Sequence, residues 1–362
     1  MTIPFLDLGA AYRELKTDID TAIQRVLDSG WYILGPEVTA FEKAWAEYCG
    51  AQHAVGLGNG LDALVIALRA LNVGPGDEVI VPSNTYIATW LAVTAVGARI
   101  VPVEPDLATH NIDPQKVAAA ITGKTKVLLP VHLYGQPADL DPLLSLAEAH
   151  GLYVVEDGAQ AHGAKYKGQR IGAHGDIVCW SFYPGKNLGA LGDGGAITTN
   201  NADLAEKVRI IANYGSKQKY VNEIAGTNSR LDPIQAAVLN VKLGSLDEWT
   251  ERRSAIAAHY LTELGSTDLI LPSVPEWASP VWHLFVVRSK DRPGLIEKLS
   301  QAGIGSLIHY PIPPHMQNAY QFMRYEPSDL PVAQEISTEV ISLPIGPHLY
   351  DASKVISAIK DG

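Results

Sequence analysis

Cysteine is scarce in this chain, since only Cys49 and Cys179 occur among 362 residues. The two cysteines do not have the close spacing of a zinc or iron–sulfur site, so we predict no metal. Small secreted proteins depend on several disulfide bonds, and this chain has too few cysteines for such a framework. The cysteine content therefore fits a reducing compartment, and we expect a cytoplasmic protein.

Positive charge is also in short supply, because 28 Lys and Arg face 39 Asp and Glu, a net charge of −11. Nucleic acids and acidic membranes are bound by clustered Lys and Arg, so we expect neither as a partner. No apolar run approaches the roughly 20 residues that a membrane span requires. The first residues lack the basic and long apolar segments of a signal peptide, so none is expected. With 47% hydrophobic residues the chain can bury a full core.

Short apolar runs alternate with helical patterns over the first two thirds of the chain. Such alternation is typical of βαβ units, in which a mostly parallel sheet is covered on both faces. We predict an α/β fold with seven strands, at residues 53–58, 78–82, 99–104, 126–131, 152–156, 177–182 and 195–199. The helices predicted between them cover 61–71, 86–96, 114–120 and 140–149.

The pattern changes after residue 230. Consecutive helices are predicted at 232–246 and 247–264, followed by a strand at 282–288 and a helix at 293–301. Domains of about 100–200 residues are common, so two domains are expected. We place the boundary near Leu246, which divides the chain into a large domain, 1–246, and a smaller C-terminal α+β domain, 247–362.

Several chemically useful residues follow the predicted strands. In open α/β sheets, ligands bind at the carboxyl ends of the strands. Asn59, Tyr86, His132, Asp157 and Lys186 all stand at or just beyond such ends. They are far apart in sequence, but the fold would bring them to one edge of the sheet.

Lys186 lies in a turn that is rich in glycine, between Pro184-Gly185 and Leu188-Gly189. A lysine in a loop is usually a solvated surface charge, but these neighbours are not typical of a solvated face. Glycine allows the backbone to approach a ligand closely. A partly desolvated amine has a lowered pKa, which suits a nucleophile and proton carrier. The turn therefore indicates a lysine that forms a Schiff base with the aldehyde of pyridoxal 5'-phosphate.

Asp157 ends an apolar strand, where a carboxylate either bonds loop amides or pairs with a ligand. Paired with a pyridinium, it would keep the cofactor ring protonated and electron-withdrawing. Gln160 could donate to the phenolic oxygen of the cofactor. His162 is interpreted as a core histidine in preference to a catalytic base.

A glycine turn precedes the helix predicted at 61–71, at Asn59-Gly60. Free amides and the positive end of a helix make a phosphate site, although such turns are common in βα units. Ser181 could add a hydroxyl donor to the same phosphate. Tyr86 could stack on the pyridine ring, or it could be an ordinary packing aromatic.

Taken together, the chain resembles the sugar aminotransferases of the DegT/DnrJ/EryC1/StrS family. Five segments carry the resemblance, at residues 29–38, 59–64, 156–163, 181–195 and 228–237. The resemblance implies fold type I of the PLP-dependent enzymes, like aspartate aminotransferase. It also implies pyridoxal 5'-phosphate as cofactor, with pyridoxamine 5'-phosphate as its intermediate form, and a homodimer with shared active sites.

The resemblance implies a role for each candidate residue. Lys186 and Asp157 would be catalytic, with Lys186 bonded to the cofactor and Asp157 on its ring nitrogen. The other cofactor-binding residues would be Gly60, Leu61 and Ser181 at the phosphate, Tyr86 stacked on the ring, Gln160 at the phenolic oxygen, and Asn228 reaching the phosphate in the partner subunit. The substrate would be bound by Tyr183, His309, Tyr310 and Lys219, the last from the partner subunit. Lys219 could also be a solvated loop lysine, and the loop with His309 and Tyr310 could serve only to pack the domains.

Within the family, the chain looks most similar to enzymes that act at C3 of a 3-keto-6-deoxyhexose linked to thymidine diphosphate (dTDP). A related 3-dehydratase branch has histidine at the lysine position, so Lys186 favours amino transfer. We expect glutamate to donate the amino group and the product to be a dTDP-3-amino-3,6-dideoxyhexose. The alternatives are a 4-keto sugar nucleotide or a keto-cyclitol as acceptor, and a regulatory binder without turnover. No strand leads into a G-x-G-x-x-G turn, which disfavours a Rossmann dehydrogenase.

Overall fold

The computed structural model describes residues 2–349 and 351–360. Its centre is a sheet of seven strands. They are β1 His53–Leu57, β2 Glu78–Pro82, β3 Arg99–Val103, β4 Thr125–Leu128, β5 Tyr153–Asp157, β6 Ile177–Ser181 and β7 Gly195–Thr199. Their spatial order is β1-β7-β6-β5-β4-β2-β3, and β7 alone among these seven runs antiparallel to its neighbours. The predicted α/β fold with a mostly parallel sheet is confirmed.

Helices cover both faces of the sheet. In β2, Val79 and Val81 join one buried apolar cluster while Ile80, between them, joins another. Successive side chains of a strand point to opposite faces, so a strand buried on both sides needs a continuous apolar run. The helices of this part are Ala10–Glu14, Lys16–Ser29, Pro36–Cys49, Gly60–Ala70, Ala88–Ala95, Pro114–Ala120, Leu140–His150, Ala202–Ala212 and Pro233–Leu243.

The remaining chain builds a smaller layer of helices on a two-stranded sheet. Strands β8 Phe285–Arg288 and β9 Val340–Leu343 pair antiparallel. Their core contains Tyr260, Phe285 and Ile341. The helices are Leu246–Leu264, Arg292–Gln301, Pro331–Glu339 and Ser353–Lys360. The chain start also pairs here, since Ile3 bridges Ile304. The domain division at residue 246 stays a prediction.

Short elements complete the description. Short 3-10 helices occur at Leu133–Gly135, Pro314–Met316, Asn318–Met323 and Pro327–Asp329. Short strands lie at Lys165–Tyr166, Gln169–Arg170, Ser216–Gln218, Val221–Asn222 and Ala278–Ser279. Within residues 2–349 and 351–360, no helix is long and apolar enough to cross a membrane. The same residues hold no cluster of three potential metal ligands.

Several predicted boundaries shift for local reasons. Strand β4 ends at Leu128 instead of residue 131, because Pro130 has no N–H to continue the ladder. Strand β8 begins at Phe285 instead of residue 282, because Trp282 has a left-handed backbone with φ of 50°. The helix predicted at 86–96 is Ala88–Ala95, which leaves Tyr86 in the preceding loop.

Candidate active site

One cleft of about 830 Å³ opens at the carboxyl edge of the sheet. The ends of β1, β2, β5 and β6 line one side, and the loop before β9 lines the other. Of the predicted site residues, the cleft brings together Gly60, Leu61, Tyr86, Asp157, Gln160, Ser181, Tyr183, Lys186, His309 and Tyr310. Its volume lies within the range of about 300–1,000 Å³ that small-molecule sites occupy.

Lys186 is presented to the cleft by a tight loop that follows β6. Its own N–H donates to Tyr183 O at 2.8 Å, and Ala190 N donates to Phe182 O at 2.8 Å, which closes the loop. A Cβ on Gly189 would lie 2.4 Å from Pro184 O, so the loop has room only for glycine there. Desolvation lowers the pKa of the Lys186 amine to about 8. A fraction of the amine is therefore unprotonated near neutral pH and able to act as a nucleophile.

A second lysine, Lys242, holds this loop from beneath. Its side chain is only 4% exposed, and Nζ donates to Gly189 O at 2.7 Å. Gln235, from the same helix Pro233–Leu243, accepts from Leu191 N at 2.8 Å. Burial lowers the pKa of Lys242 to about 8. The helix thus fixes the loop at two points on the far side of Lys186.

The buried cation should make stability depend on pH. Unfolded, Lys242 has the ordinary pKa of 10.5, and folded it has a pKa of about 8. Between these values the unfolded chain binds more protons, so raising the pH stabilises the folded wild type. The free energy of unfolding of wild type, minus that of Lys242→Met, should rise by on the order of 3 kcal/mol between about pH 7 and pH 10.5. Urea unfolding at several pH values measures this difference, and a difference that does not change with pH would contradict the assignment.

Asp157 lies at the end of β5, at the base of the cleft, and is 6% exposed. Its Oδ2 accepts from Thr89 Oγ1 at 3.0 Å and its Oδ1 from Ala159 N at 3.1 Å. Burial raises the pKa of Asp157, while the amide of Ala159 and the charge of Lys186 oppose that rise. Two donors therefore fix the orientation of this carboxylate and favour its charged form.

A narrow cradle forms where β1 and β6 meet the helix Gly60–Ala70. Asn59 begins this helix, and its Oδ1 accepts from Asp62 N at 2.8 Å. A Cβ on Gly60 would lie 2.5 Å from Ser181 Cβ. A Cβ on Gly195 would lie 2.4 Å from the backbone of Asn59. Only glycine permits this approach, and it sets the helix N-terminus beside the Ser181 hydroxyl, as an anion site requires.

Gln160 has a fixed amide orientation. Tyr134 N donates to Gln160 Oε1 at 2.6 Å, so the Nε2 donor is on the other side, where it reaches Tyr310 Oη at 3.1 Å. The rings of Tyr310 and Tyr86 lie 5.4 Å apart. Tyr86 is 57% exposed, which leaves its ring available to a ligand.

His309 belongs to the loop on the opposite wall of the cleft. Its Nδ1 lies 2.8 Å from Ser342 Oγ, and its carbonyl accepts from Tyr134 Oη at 2.5 Å. Burial lowers the pKa of His309 to about 4, so the ring is neutral near pH 7. The loop is thus anchored through Tyr134 to the 3-10 helix Leu133–Gly135, and through Ser342 to β9.

Two predicted site residues lie outside the cleft of their own chain. Asn228 is exposed and bridges Asn213. Lys219 is exposed and lies 5.1 Å from the ring centre of Tyr220. Neither reaches Lys186 within one chain.

Two histidines from the sequence motifs are structural. His132 Nδ1 accepts from Ala138 N at 3.0 Å, so its Nε2 donates to Glu156 Oε2 at 2.8 Å. His162 is packed against Trp45 and Trp180, and burial lowers its pKa to about 3. The sequence pattern missed Thr89, whose only signal is a hydroxyl in an apolar helix after Tyr86.

These groups fit pyridoxal 5'-phosphate. The cleft offers a lysine amine of lowered pKa, a buried carboxylate beneath it, and a cradle of helix amides that any Cβ would fill. An aldehyde, a pyridine nitrogen and a phosphate are the three groups that such donors and acceptors match.

A sequence model of the DegT/DnrJ/EryC1/StrS aminotransferase family matches residues 13–360. The chain belongs to this family. It is 56% identical to the erythromycin biosynthesis sensory transduction protein EryC1 of Saccharopolyspora erythraea, over 100% of both chains. It is 55% identical to the dTDP-3-amino-3,4,6-trideoxy-alpha-D-glucose transaminase of Streptomyces venezuelae, over 99% of this chain and 96% of that one. Identity to the dTDP-3-amino-3,6-dideoxy-alpha-D-galactopyranose transaminase of Aneurinibacillus thermoaerophilus is 51%, over 99% and 98%.

Solved structures of aminotransferases have the same fold. The crystal structure of S. venezuelae DesV in complex with a ketimine intermediate superposes with a TM-score of 0.98 at 54% identity, over 99% of this chain and 98% of that one. The structure of NtdA from Bacillus subtilis with bound cofactor PMP gives a TM-score of 0.92 at 32% identity, over 99% and 84%. The predicted family, fold type and cofactor are confirmed.

Proposed function

We propose that this protein transfers an amino group from glutamate to C3 of a dTDP-linked 3-keto-6-deoxyhexose, which yields a dTDP-3-amino-3,6-dideoxyhexose. The observation that carries the proposal is that Lys186 and Asp157 line one cleft, near enough for the charge of Lys186 to oppose the rise in the pKa of Asp157, in a family of aminotransferases. Relatives at 55% and 51% identity are transaminases of dTDP-3-amino sugars, which supports the choice of acceptor.

The cofactor site follows from the chemistry of the donors. Helix amides at Gly60 and Leu61, with the Ser181 hydroxyl, would hold the phosphate. Asp157 would accept from the protonated ring nitrogen, Tyr86 would cover the ring face, and Gln160 Nε2 would donate to the phenolic oxygen. When bound, pyridoxal 5'-phosphate supplies an electron sink for the carbon that gains or loses the amino group.

Lys186 is proposed as the catalytic nucleophile and proton carrier. Its pKa of about 8 lets Nζ exist in both protonation states near neutral pH. Nζ can therefore take a proton from the reacting carbon and return it elsewhere, a contribution typically worth about 10²- to 10⁴-fold in rate. Asp157 has the complementary role, since burial raises its pKa and a positive group on the ring nitrogen opposite would further stabilise its charge.

The sugar side of the cleft offers neutral polar groups. Tyr183 is 56% exposed and lies three residues before Lys186, while His309 and Tyr310 face it from the opposite wall. We propose that these three side chains bind the sugar and fix the ketone near Lys186. Positioning of this kind converts binding energy into rate.

We further propose a cytoplasmic homodimer with shared sites. Asn228 and Lys219 lie outside their own cleft, so they would act in the site of a second copy. Large apolar side chains are exposed on the segment 31–34, where Trp31 and Tyr32 are 58% and 52% exposed, and Tyr220, beside Lys219, is 88% exposed. Contiguous exposed apolar residues are typical of an interface between proteins.

The test uses purified protein with pyridoxal 5'-phosphate, glutamate, and either a 3-keto or a 4-keto dTDP-6-deoxyhexose. We expect the amino sugar from the 3-keto substrate, detected by mass spectrometry with 2-oxoglutarate as coproduct. Preference for the 4-keto sugar, or for a keto-cyclitol, would change the assigned acceptor, and the protein would still be an aminotransferase. Cofactor binding without turnover of any acceptor would favour a regulatory binder.

A further inference from the structure

His283 lines the same cleft, on a segment that is hydrogen-bonded to the 3-10 helix Leu133–Gly135. Val281 N donates to Gly135 O at 2.9 Å, and Leu284 N donates to Tyr134 O at 3.2 Å. A Cβ on Gly135 would lie 2.8 Å from His283 N, so the two backbones are in direct contact. The backbone on both sides of His283 is therefore fixed.

A buried arginine secures the preceding residue. Arg253 is 4% exposed, and its Nη1 donates to Trp282 O at 3.1 Å and to Ile345 O at 3.3 Å. Trp282 has a φ of 50°, a conformation that an aromatic residue adopts only when its surroundings enforce it. The left-handed turn at Trp282 directs the following side chain, that of His283, into the cleft.

The hydrogen bonds of Asn187 determine the tautomer of His283. Asn187 follows Lys186, and its Nδ2 donates to Val281 O at 2.9 Å. Its Oδ1 therefore faces His283 Nδ1, at 3.2 Å. Since Oδ1 can only accept, Nδ1 must carry the proton, and Nε2 of the neutral ring has a free lone pair.

The ring remains neutral because of its surroundings. Burial, together with the charges of Lys186 and Arg253, holds the pKa of His283 well below its ordinary value. In the part of the chain that the structure describes, no protein group bonds His283 Nε2, and none bonds Lys186 Nζ. The cleft therefore contains a hydrogen-bond donor, Lys186 Nζ, and a hydrogen-bond acceptor, His283 Nε2, neither of which has a protein partner among the described residues.

We propose that His283 is a positioning residue for Lys186: once the amine has been released from the cofactor during the reaction, its ammonium turns to donate a hydrogen bond to His283 Nε2. The proposal rests on the function proposed above. A lysine that carries protons must be released from the cofactor and then stay near the reacting carbon. A neutral acceptor of low basicity holds the ammonium in place without removing its proton, whereas a carboxylate would hold it more strongly and oppose the return of the proton.

Two substitutions distinguish the contribution of His283 Nε2 from that of His283 Nδ1. In His283→Asn, the amide can still donate to Asn187, but nothing stands at the position of Nε2. In His283→Gln, the longer amide places an acceptor near the position of Nε2. We expect His283→Asn to lower kcat by about 10- to 100-fold, as for the loss of a hydrogen bond to a charged group, with KM for the sugar little changed. His283→Gln should retain activity within about tenfold of wild type.

Rates of the two half-reactions decide between this role and others. Lys186 acts in both, so His283→Asn should slow the reaction of the cofactor-loaded protein with glutamate and the reaction with keto-sugar alike, each followed by stopped-flow absorbance. Slowing only with the keto-sugar would show that Nε2 binds the sugar and would overturn the proposal. Equal loss in both variants, with a lowered melting temperature, would assign His283 a purely structural role and overturn it too. Failure of the wild type with every sugar would instead refute the proposed function, and the glutamate half-reaction would still test His283.

Discussion

Replacement of Lys186 by alanine should abolish amino transfer. The variant loses the group that bonds the cofactor and also the group that carries the proton. Loss of the proton carrier alone accounts for about 10²- to 10⁴-fold in kcat, and loss of the nucleophile adds to it. Absorbance should show bound cofactor without the visible band of the lysine-bound form, because the phosphate cradle at Gly60 and Ser181 is unchanged. Steady-state rates with glutamate and the keto-sugar measure the loss.

Two control variants show whether activity needs the amine of Lys186 itself, and not only a positive charge at this position or any lysine. Lys186→Arg keeps a cation next to Asp157, but a guanidinium is always protonated and can neither attack an aldehyde nor accept a proton. It should be as inactive as the alanine variant. Lys124→Ala removes an exposed lysine just before β4, at the opposite edge of the sheet, and should leave kcat unchanged. Near-normal turnover by either Lys186 variant would refute the assignment of this residue.

The sheet could be predicted from sequence because its strands are buried on both faces. In β2, Glu78 is followed by the apolar run of residues 79–82, and the predicted and observed bounds of this strand agree. The placement of Asp157, Ser181 and Lys186 at one edge followed from the rule that parallel strands end on the same side. The apolar pattern and the strand direction are sufficient to predict such positions, because the position of each residue depends only on where its own strand ends.

The supports of the site could not be predicted, because each joins residues that are distant in sequence. Lys242 bonds a carbonyl 53 positions away, and Asn187 bonds one 94 positions away. No local pattern marks Thr89 as the donor to Asp157. His132 follows β4 at the predicted edge of the sheet, yet its side chain does not enter the cleft. It bonds instead the buried carboxylate of Glu156, on the neighbouring strand β5. Side-chain direction at a strand end depends on such partners, which sequence spacing does not reveal.

Conversion of Asp157 to asparagine should be the next most damaging change. The amide has nearly the shape of the carboxylate, so its oxygen can still accept from Ala159 N, while Nδ2 takes the place of the oxygen that accepts from Thr89 Oγ1. The Thr89 hydroxyl can then turn to accept from Nδ2. The asparagine Nδ2, however, is a donor and cannot accept from a protonated ring nitrogen. The cofactor ring would lose its proton and much of its electron-withdrawing power. Breaking a buried charge pair typically costs about 3–5 kcal/mol, which corresponds to a fall in kcat of roughly 10²- to 10⁴-fold.

Asp176→Asn is the matched control for this change. Asp176 is also a carboxylate whose pKa is raised by burial, and its Oδ2 accepts from Val154 N at 2.8 Å. Asp176 stands just before β6 and contacts β5 at Val154, three residues before Asp157 and so about 10 Å from it, away from the cleft. Asp176→Asn should change the melting temperature but leave kcat of the folded enzyme near that of wild type. If both asparagine variants lost activity in proportion to stability, Asp157 would only support the fold. If Asp157→Asn alone lost activity at a near-native melting temperature, its charge would be required by the chemistry.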